Sequence, residues 1–454
     1  MQSVNPAVPI IRHLKDGLIL RRSSPADTEK LAIFNVQIHK DAEVGVWTRD
    51  LMSGKHPTFG VDDFTIVENP LTGEIVSTMN LIDQTWTYAG IPFKVGRPEL
   101  VGTLPAYRNH GLVRQQFEVI HEWSKQRGQV VQAITGIPFY YRLFGYEMAM
   151  DLGGGRMAYA STLPKIKPDQ ASAYRIRPAV EADIPFIAEC YNQNCQRDLV
   201  ACVWTEELWR HELLEKSPKN MDRRDLRIIE TVTGEPTGFI GLAPNLMGTM
   251  FACTHFSLKA GASWWEVTPL VLRYAWETGQ SMANIEGKTC DVLGILLAEN
   301  HPVFQVTGRR LWRQREAYAW YLRVPDLKGF LRLIAPVLEN RLSKSACPGF
   351  SGKLDLSFYQ DGLEMVFEKG RLVKVEDWQS TPDNIAMASF PGLSFLQLVF
   401  GRRNMDELKH AFPDCWAAED FSSVSGDDSP LFGDYSPVLD ALFPRQNSNV
   451  WPIA

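Results

Sequence analysis

Residues 99–114 read Glu-Leu-Val-Gly-Thr-Leu-Pro-Ala-Tyr-Arg-Asn-His-Gly-Leu-Val-Arg. The first six residues have the pattern of a strand that ends at Pro105, and a helix pattern runs from about Leu112 to Arg127. The basic loop between them contains Gly111, which lets the backbone approach a ligand closely. Free N–H groups and the helix dipole attract anions to a helix N-terminus, so this arrangement predicts a phosphate-binding site.

The spacing of this loop differs from that of the common nucleotide-binding loops. It reads R-x-x-G-x-V from Arg108 to Val113, whereas a dinucleotide loop needs G-x-G-x-x-G and a P-loop needs Gly-Lys followed by Ser or Thr. On these residues alone, a phosphate site and a basic turn that only caps a helix are both compatible with the pattern.

A second informative stretch follows the helix. An apolar strand pattern at Val130–Thr135 leads into Gly136–Glu147, which contains Tyr-x-x-Phe-Gly-Tyr between Tyr141 and Tyr146. This motif after a strand and a short helix is a known acetyltransferase feature, and it favours a phosphate-bearing donor over the bare helix cap.

Part of the pattern occurs twice along the chain. A strand, basic residues and Ala-Asp at a helix start appear near Leu20 and again near Ile176, an offset of about 156 residues. Each is followed by a predicted hairpin with Thr-Gly-Glu at its turn, at residues 64–82 and 226–242. An offset of this size indicates a duplicated α/β domain rather than a solenoid.

The last hundred residues have a different pattern. Three short predicted strands around the Asp361-Gly362 turn precede two helical stretches, which is typical of an α+β module with an antiparallel sheet. We therefore predict an α/β (α+β) chain of three domains, at residues 1–160, 172–325 and 340–454.

Taken together, the loop, the Tyr-x-x-Phe-Gly-Tyr stretch and the domain order resemble the enhanced intracellular survival (Eis) family of acetyltransferases, over essentially the full chain. The resemblance implies two tandem GNAT acyltransferase folds followed by a sterol-carrier-protein-like domain. The second copy has Lys259–Glu266 where the phosphate loop should stand, with no R-x-x-G pattern. We expect it to be a degenerate scaffold that has lost the donor site.

The resemblance also implies an activity and its residues. The expected reaction is acetyl transfer from acetyl-CoA to a primary amine of a small molecule or peptide, with no metal. Tyr141 matches the family's general acid, and the general base is the carboxylate of the last residue, here Ala454. The residues implied to contact acetyl-CoA along its pantetheine arm, its pyrophosphate and its reactive end are Val101, Gly102, Thr103, Arg108, Asn109, His110, Gly111, Leu112, Val113, Arg114, Gly136 and Ile137.

These roles are chemically consistent with one another. An alkylamine of pKa about 10.4 arrives protonated, so a base must remove a proton before the nitrogen attacks. An acid beside the sulfur avoids the release of a bare thiolate. For the acceptor pocket, Trp47, Asp50 and His56 are candidates, with an ordinary surface loop as the alternative.

Composition excludes several other classes. Lys and Arg total 47 against 53 Asp and Glu, a net charge of −6, which argues against a nucleic-acid partner. The seven cysteines include no C-x-x-C pair, so we expect reduced thiols rather than disulfides or a zinc site. We find no apolar stretch of membrane-spanning length and no signal-peptide pattern, and we expect a cytoplasmic protein without a membrane partner.

Two further expectations complete the sequence-based description. The family resemblance implies a homo-oligomer, with a hexamer as one form of it. The alternative function is a catalytically silent CoA- or lipid-binding protein with a carrier-type C-terminal domain.

Overall fold

The computed structural model describes residues 10–164, 172–382, 384–418 and 435–450. These residues form three β-sheets flanked by helices, which confirms the predicted mixed α/β fold class. Ala454, the predicted general base, lies outside the described residues.

The strands of the described residues are, in chain order, β1 (Ile10–His13), β2 (Ile19–Arg22), β3 (Phe64–Asn69), β4 (Glu74–Tyr88), β5 (Ile91–Thr103), β6 (Val131–Ile134), β7 (Glu147–Leu152), β8 (Gly155–Ala158), β9 (Tyr174–Pro178), β10 (Val200–Cys202), β11 (Asp225–Thr231), β12 (Pro236–Leu242), β13 (Met250–Leu258), β14 (Val292–Ile295), β15 (Arg313–Arg315), β16 (Tyr318–Arg323), β17 (Gly352–Ser357), β18 (Gly362–Glu368), β19 (Arg371–Asp377), β20 (Ala388–Ser389) and β21 (Trp416–Ala417).

The α-helices are α1 (Thr28–His39), α2 (Ala42–Leu51), α3 (Leu112–Gln126), α4 (Ile184–Cys195), α5 (Glu206–Arg210), α6 (Trp264–Glu286), α7 (Pro302–Thr307), α8 (Leu327–Leu333), α9 (Ala335–Ser343), α10 (Phe395–Val399), α11 (Met405–Ala411) and α12 (Ser436–Leu442). Short 3₁₀ helices lie at Lys15–Gly17, Pro25–Asp27, Pro105–Tyr107, Tyr140–Phe144, Glu181–Asp183 and Gly308–Leu311, and a π-helical turn at His211–Glu215.

The first sheet is built around the long hairpin of β4 and β5. Its two-residue turn, Ala89-Gly90, has positive φ at both positions, as tight hairpins require. The strand order is β1-β2-β3-β4-β5-β6-β16-β7, with β10 paired to β4. Helices α1, α2 and α3 contribute Phe34, Trp47 and Phe117 to the core on this sheet.

The second sheet repeats the central part of the first. Its order is β15-β8-β14-β13-β12-β11-β9. In both sheets four consecutive strands are antiparallel neighbours and the fifth is parallel to the fourth, as β6 is to β5 and β14 is to β13. The two sheets therefore share the order and direction of five strands, and the duplication stays a prediction from the sequence.

The two sheets exchange strands, which the sequence did not reveal. Strand β16 enters the first sheet between β6 and β7, and β8 lies in the second sheet between β14 and β15. The sheets therefore do not follow the predicted boundaries at residues 160 and 172. Burial explains the exchange, because Trp320, Tyr321 and Leu322 of β16 have no exposed surface.

The third sheet, β19-β18-β17-β20-β21, belongs to the predicted C-terminal domain. It packs on the first sheet through α10, where the Tyr88 hydroxyl donates to the Val399 carbonyl at 2.7 Å. The backbone N–H of Asn449 donates to the Val200 carbonyl at 3.0 Å, so the chain returns to β10 shortly before its end. Two short helices, α8 and α9, precede the third sheet in the chain.

The described ranges contain neither a membrane-spanning helix nor a cluster of metal ligands. None of the helices there combines the length and the apolar character that crossing a bilayer requires. In the same ranges, no group of three or more His, Cys, Asp or Glu side chains lies together as metal ligands would.

The exchanged strand makes a testable contribution to stability. Trp320 packs edge-on against Trp86 at 5.5 Å between ring centroids, and the Arg97 guanidinium lies 4.5 Å from its centroid. We expect Trp320→Ala to lower the free energy of unfolding by about 3–5 kcal/mol because it leaves a cavity. Urea unfolding followed by circular dichroism measures the change. Trp312→Ala is the control, since Trp312 is 69% exposed, and an equal loss in both variants would contradict the interpretation.

Candidate active site

The candidate site is an opening between two parallel strands. β5 and β6 pair only at Val95 with Val131 and at Gly96 with Gln132, after which the strands part. A cavity of about 930 Å³ lies in this opening. Its walls come from the end of β5, the loop before α3, and the loop after β6.

A β-bulge turns the end of β5 away from the sheet. Asn80 of β4 lies opposite Glu99, but Thr78 lies opposite Gly102, so β5 has one extra residue between these pairs. Leu100 carries the irregularity, with φ of 51°, and its carbonyl accepts a hydrogen bond from the Thr78 hydroxyl at 3.1 Å. A bulge bends its strand and increases its twist, so it widens the opening toward Val101.

The predicted phosphate loop has the backbone of an anion site. α3 starts after Gly111, which has φ of 74° and offers no side chain to cap the helix. The first N–H groups of α3 have no intrahelical partner, and Leu112, Val113 and Arg114, which carry them, line the cavity. Arg108 and Arg114 flank this helix end and are both exposed.

Nearly all of the predicted donor-contacting residues line this one cavity. Those that do are Val101, Gly102, Thr103, Arg108, Asn109, Gly111, Leu112, Val113, Arg114, Gly136 and Ile137, together with Tyr141. His110 differs, because it lies outside the cavity lining and its Nδ1 is 3.1 Å from an Asp16 carboxylate oxygen. Its place in the loop had suggested a phosphate contact, but the positive φ of Asn109 turns the chain before His110.

Tyr141 is held deep in the cavity wall by aromatic neighbours. Its ring contacts that of Tyr321 edge-on at 5.4 Å and that of Phe117 at 6.2 Å. Burial, reinforced by the Glu99 carboxylate and nearby tyrosines, raises the pKa of Tyr141 well above its usual value. The hydroxyl therefore stays protonated at physiological pH, as a proton donor requires.

The exchanged strand β16 fixes the loop that carries Tyr141. The Tyr318 hydroxyl donates to the Gly136 carbonyl at 2.8 Å, and the Phe139 N–H donates to the Tyr321 hydroxyl at 2.6 Å. These contacts join residues about 180 positions apart, so no local motif could have indicated Tyr318 or Tyr321 as parts of the site.

The cavity lining also contains an acidic residue that the sequence motifs did not indicate. Glu99 lines the cavity, and its side chain is 12% exposed. Burial raises the pKa of Glu99 to about 7; the hydrogen-bonded Arg97 opposes the rise, and the Asp222 carboxylate adds to it. The sequence feature that could have indicated Glu99 is its charge inside a predicted apolar strand.

The acceptor candidates from the sequence separate in space. Trp47 lines the cavity, as expected of an acceptor contact. Asp50 instead accepts hydrogen bonds from the backbone and hydroxyl of Ser217 and from the Asn220 amide, at 2.7–2.9 Å. His56 lines another cavity, of about 520 Å³, where its ring lies 4.9 Å from that of His211.

We call residues 172–325, around the second sheet, the second unit. In this unit, protein side chains occupy the position where a donor would enter by analogy with the first sheet. Trp264 contacts the rings of Phe256 and His301 at 4.8 and 5.0 Å, and His301 Nε2 lies 2.9 Å from the Phe256 carbonyl oxygen. The neighbouring cavity measures only about 10 Å³. The second unit thus lacks the R-x-x-G pattern, has bulky residues at this position, and has its α6 N-terminus capped by the Ser263 side chain.

Comparison with known proteins agrees with this geometry. Residues 35–149 match the family model of an acetyltransferase (GNAT) domain. That stretch carries both loops and Tyr141, and the match supports acyl transfer as the reaction class. Among curated proteins, none has a sequence that matches this chain significantly.

Solved structures share the fold along almost the whole chain. A GCN5-related N-acetyltransferase from Kribbella flavida is 15% identical, with a TM-score of 0.58, covering 95% of this chain and 97% of its own. A GCN5-related N-acetyltransferase from Anabaena variabilis is 13% identical with a TM-score of 0.60, and Eis1 from Mycobacterium abscessus is 14% identical with 0.58. Both of these matches cover 96% of this chain and 99% of the other, and identities this low establish the fold alone.

The loop geometry predicts different effects on CoA binding for substitutions of Arg114 and His110. We expect Arg114→Ala to weaken CoA binding about tenfold, because it removes a charge-assisted contact to phosphate. His110→Ala is the matched control and should bind CoA with unchanged affinity, since its ring faces Asp16. Isothermal titration calorimetry with CoA measures both, and the reverse order of effects would contradict the assignment.

Proposed function

We propose that the protein is an acetyl-CoA-dependent N-acetyltransferase that acts on a primary amine. The observation that carries the proposal is the single cavity that joins the start of α3, the parted edge of β5 and the Tyr141 hydroxyl. The family resemblance further leads us to propose that it acts in the cytoplasm as a homo-oligomer.

The parted strands provide a path for an extended donor. Beyond Gly96 the edge of β5 has no β6 partner, so its backbone groups at Val101–Thr103 are available to the amides of a pantetheine arm. The pyrophosphate would then lie at the N-terminus of α3, between Arg108 and Arg114. We also propose that backbone N–H groups of β5 polarise the thioester carbonyl.

The reaction follows from this placement. The amine nitrogen attacks the thioester carbon, the new C–N bond forms, and the C–S bond breaks. Tyr141 donates its hydroxyl proton to the departing sulfur, so no bare thiolate is released, and the tyrosinate then takes a proton from solvent. For the proton lost by the nitrogen, we retain the carboxylate of Ala454 as the proposed acceptor, directly or through water.

Removal of the Tyr141 hydroxyl tests the acid. We expect Tyr141→Phe to lower kcat by roughly 10²–10⁴, the usual contribution of a general acid. Release of free CoA thiol with acetyl-CoA and an accepted amine gives kcat. Tyr140→Phe is the matched control, because Tyr140 lines the same cavity on the same short helix. Wild-type turnover by Tyr141→Phe would remove Tyr141 from the mechanism.

The chain end provides a separate test of the base. We expect deletion of residues 452–454, or a C-terminal tag, to abolish turnover because it displaces the terminal carboxylate, while CoA binding persists. Turnover and calorimetric CoA binding are measured on the same preparations, with an N-terminally tagged chain as control. A fully active C-terminally tagged protein would exclude Ala454 as the base.

A thermal-shift comparison separates this enzyme from the silent carrier. A live donor site predicts that acetyl-CoA and CoA raise Tm according to RT ln(1 + [L]/Kd). A rise with fatty acids and none with CoA would favour the carrier.

In the C-terminal domain, the apolar side chains that a lipid carrier would expose to its ligand pack against one another. Phe395, Leu398 and Phe400 are buried, with Phe395 5.5 Å from Phe443 and Phe400 5.3 Å from Phe330 between ring centroids.

A further inference from the structure

The second unit contributes residues to the cavity of the first. Met221 and Asp222, from the loop between α5 and β11, line this cavity together with Glu99. The Asp50 hydrogen bonds to Ser217 and Asn220 hold this loop against α2. The degenerate unit is therefore part of the wall that the acceptor must face, if the proposed function holds.

Asp222 is a buried carboxylate that lacks a full set of partners. The residue is 6% exposed, and its Oδ2 has no hydrogen-bond partner among the described residues. Leaving a buried charged oxygen unsatisfied is costly, so this oxygen requires a partner that the described residues do not supply, such as a cation or a water molecule. The Asp222 carboxylate interacts electrostatically with Glu99 and Arg97, so it belongs to the same cluster.

The charges of this cluster do not balance. Arg97 is fully buried behind the cavity lining and hydrogen-bonds Glu99, which leaves one positive group against two carboxylates. Lys216, whose Nζ lies 3.4 Å from the Asp222 carbonyl oxygen, is already paired with Glu212 at 2.7 Å. Tyr141, the remaining titratable neighbour of Glu99, is neutral. The ionised cluster therefore has one negative charge in excess and favours a monovalent cation.

We propose that Glu99 of the first unit and Asp222 of the second form the binding site for the ammonium group of the acceptor amine. The site selects primary alkylamines, which enter as cations, over arylamines and alcohols of the same size. The inference rests on the proposed function, because it places the acceptor opposite Tyr141 in the donor cavity. It also gives the second unit a direct role in substrate recognition.

The site should depend on pH through Glu99. Arg97, Asp222 and Tyr141 are the charged and titratable groups that face this carboxyl. Since its pKa is about 7, protonation below that pH removes one of the two negative charges. Ammonium affinity should therefore decline as the pH falls through 7, while Asp222 alone retains part of the attraction.

A binding experiment on the full chain tests the site without requiring turnover. The probe is benzylammonium chloride, compared with benzyl alcohol at equal ionic strength, and Tm is measured with CoA present at about pH 8, where an alkylamine is still protonated. We expect the cation to raise Tm of the wild type beyond the alcohol. The excess should be absent in Asp222→Asn and reduced in Glu99→Gln, and it should shrink to a similar extent in the wild type below pH 7.

The control is Asp225→Asn, a carboxylate three residues away that pairs with Arg227 and lies outside the cavity. It should keep the full excess. No excess in the wild type, or an equal excess in Asp222→Asn, would overturn the ammonium site. The Tm rise with CoA alone reports the donor site in every variant, so its absence from the wild type would count against the proposed function instead.

Kinetics with an amine that the wild type acetylates distinguish binding from proton removal. Asp222→Asn should raise KM for that amine about tenfold with little change in kcat, because a charge-assisted contact is lost in both the bound substrate and the transition state. KM for acetyl-CoA should not change. A lower kcat with an unchanged KM for the amine would place Asp222 in the chemistry and overturn its assignment as an ammonium ligand.

Discussion

The two-residue pairing between β5 and β6 is the constraint on which the site depends. Parallel strands that part after Val95 and Gly96 leave backbone groups without partners, which a sheet interior does not normally tolerate. The bulge at Leu100 bends β5 on one side, and β16 pairs with β6 on the other, so the gap stays open without collapse of the sheet. Every proposed donor contact lies along this gap.

The second unit supports the first in two distinct ways. Through β16 it completes the first sheet and fixes the loop that carries Tyr141, by way of Tyr318 and Tyr321. Through the loop at Met221 and Asp222 it supplies part of the cavity wall. Filling of its own opening by Trp264 and His301 is compatible with both roles, because neither needs a second donor site.

The sequence predicted the parts of the site that are local. Strand, loop and helix around Gly111, and the stretch ending at Tyr146, each form within about fifteen residues, so their patterns can be read directly. The sequence could not indicate Tyr318, Tyr321 and Asp222, because they reach the site only through the strand exchange and the packing of two units. The position of His110 outside the cavity lining was not predictable for a related reason, since its partner Asp16 lies 94 positions earlier.

Strand exchange also bears on how the chain acquires its structure during synthesis. Because β16 is the inner neighbour of both β6 and β7, the first sheet stays incomplete until residue 323 has left the ribosome. Until then the edges of β6 and β7 expose backbone groups that attract foreign strands. The nascent chain must therefore protect an unfinished sheet while residues 153–323 are translated, more than a third of its length, and the two halves cannot be shuffled as independent modules.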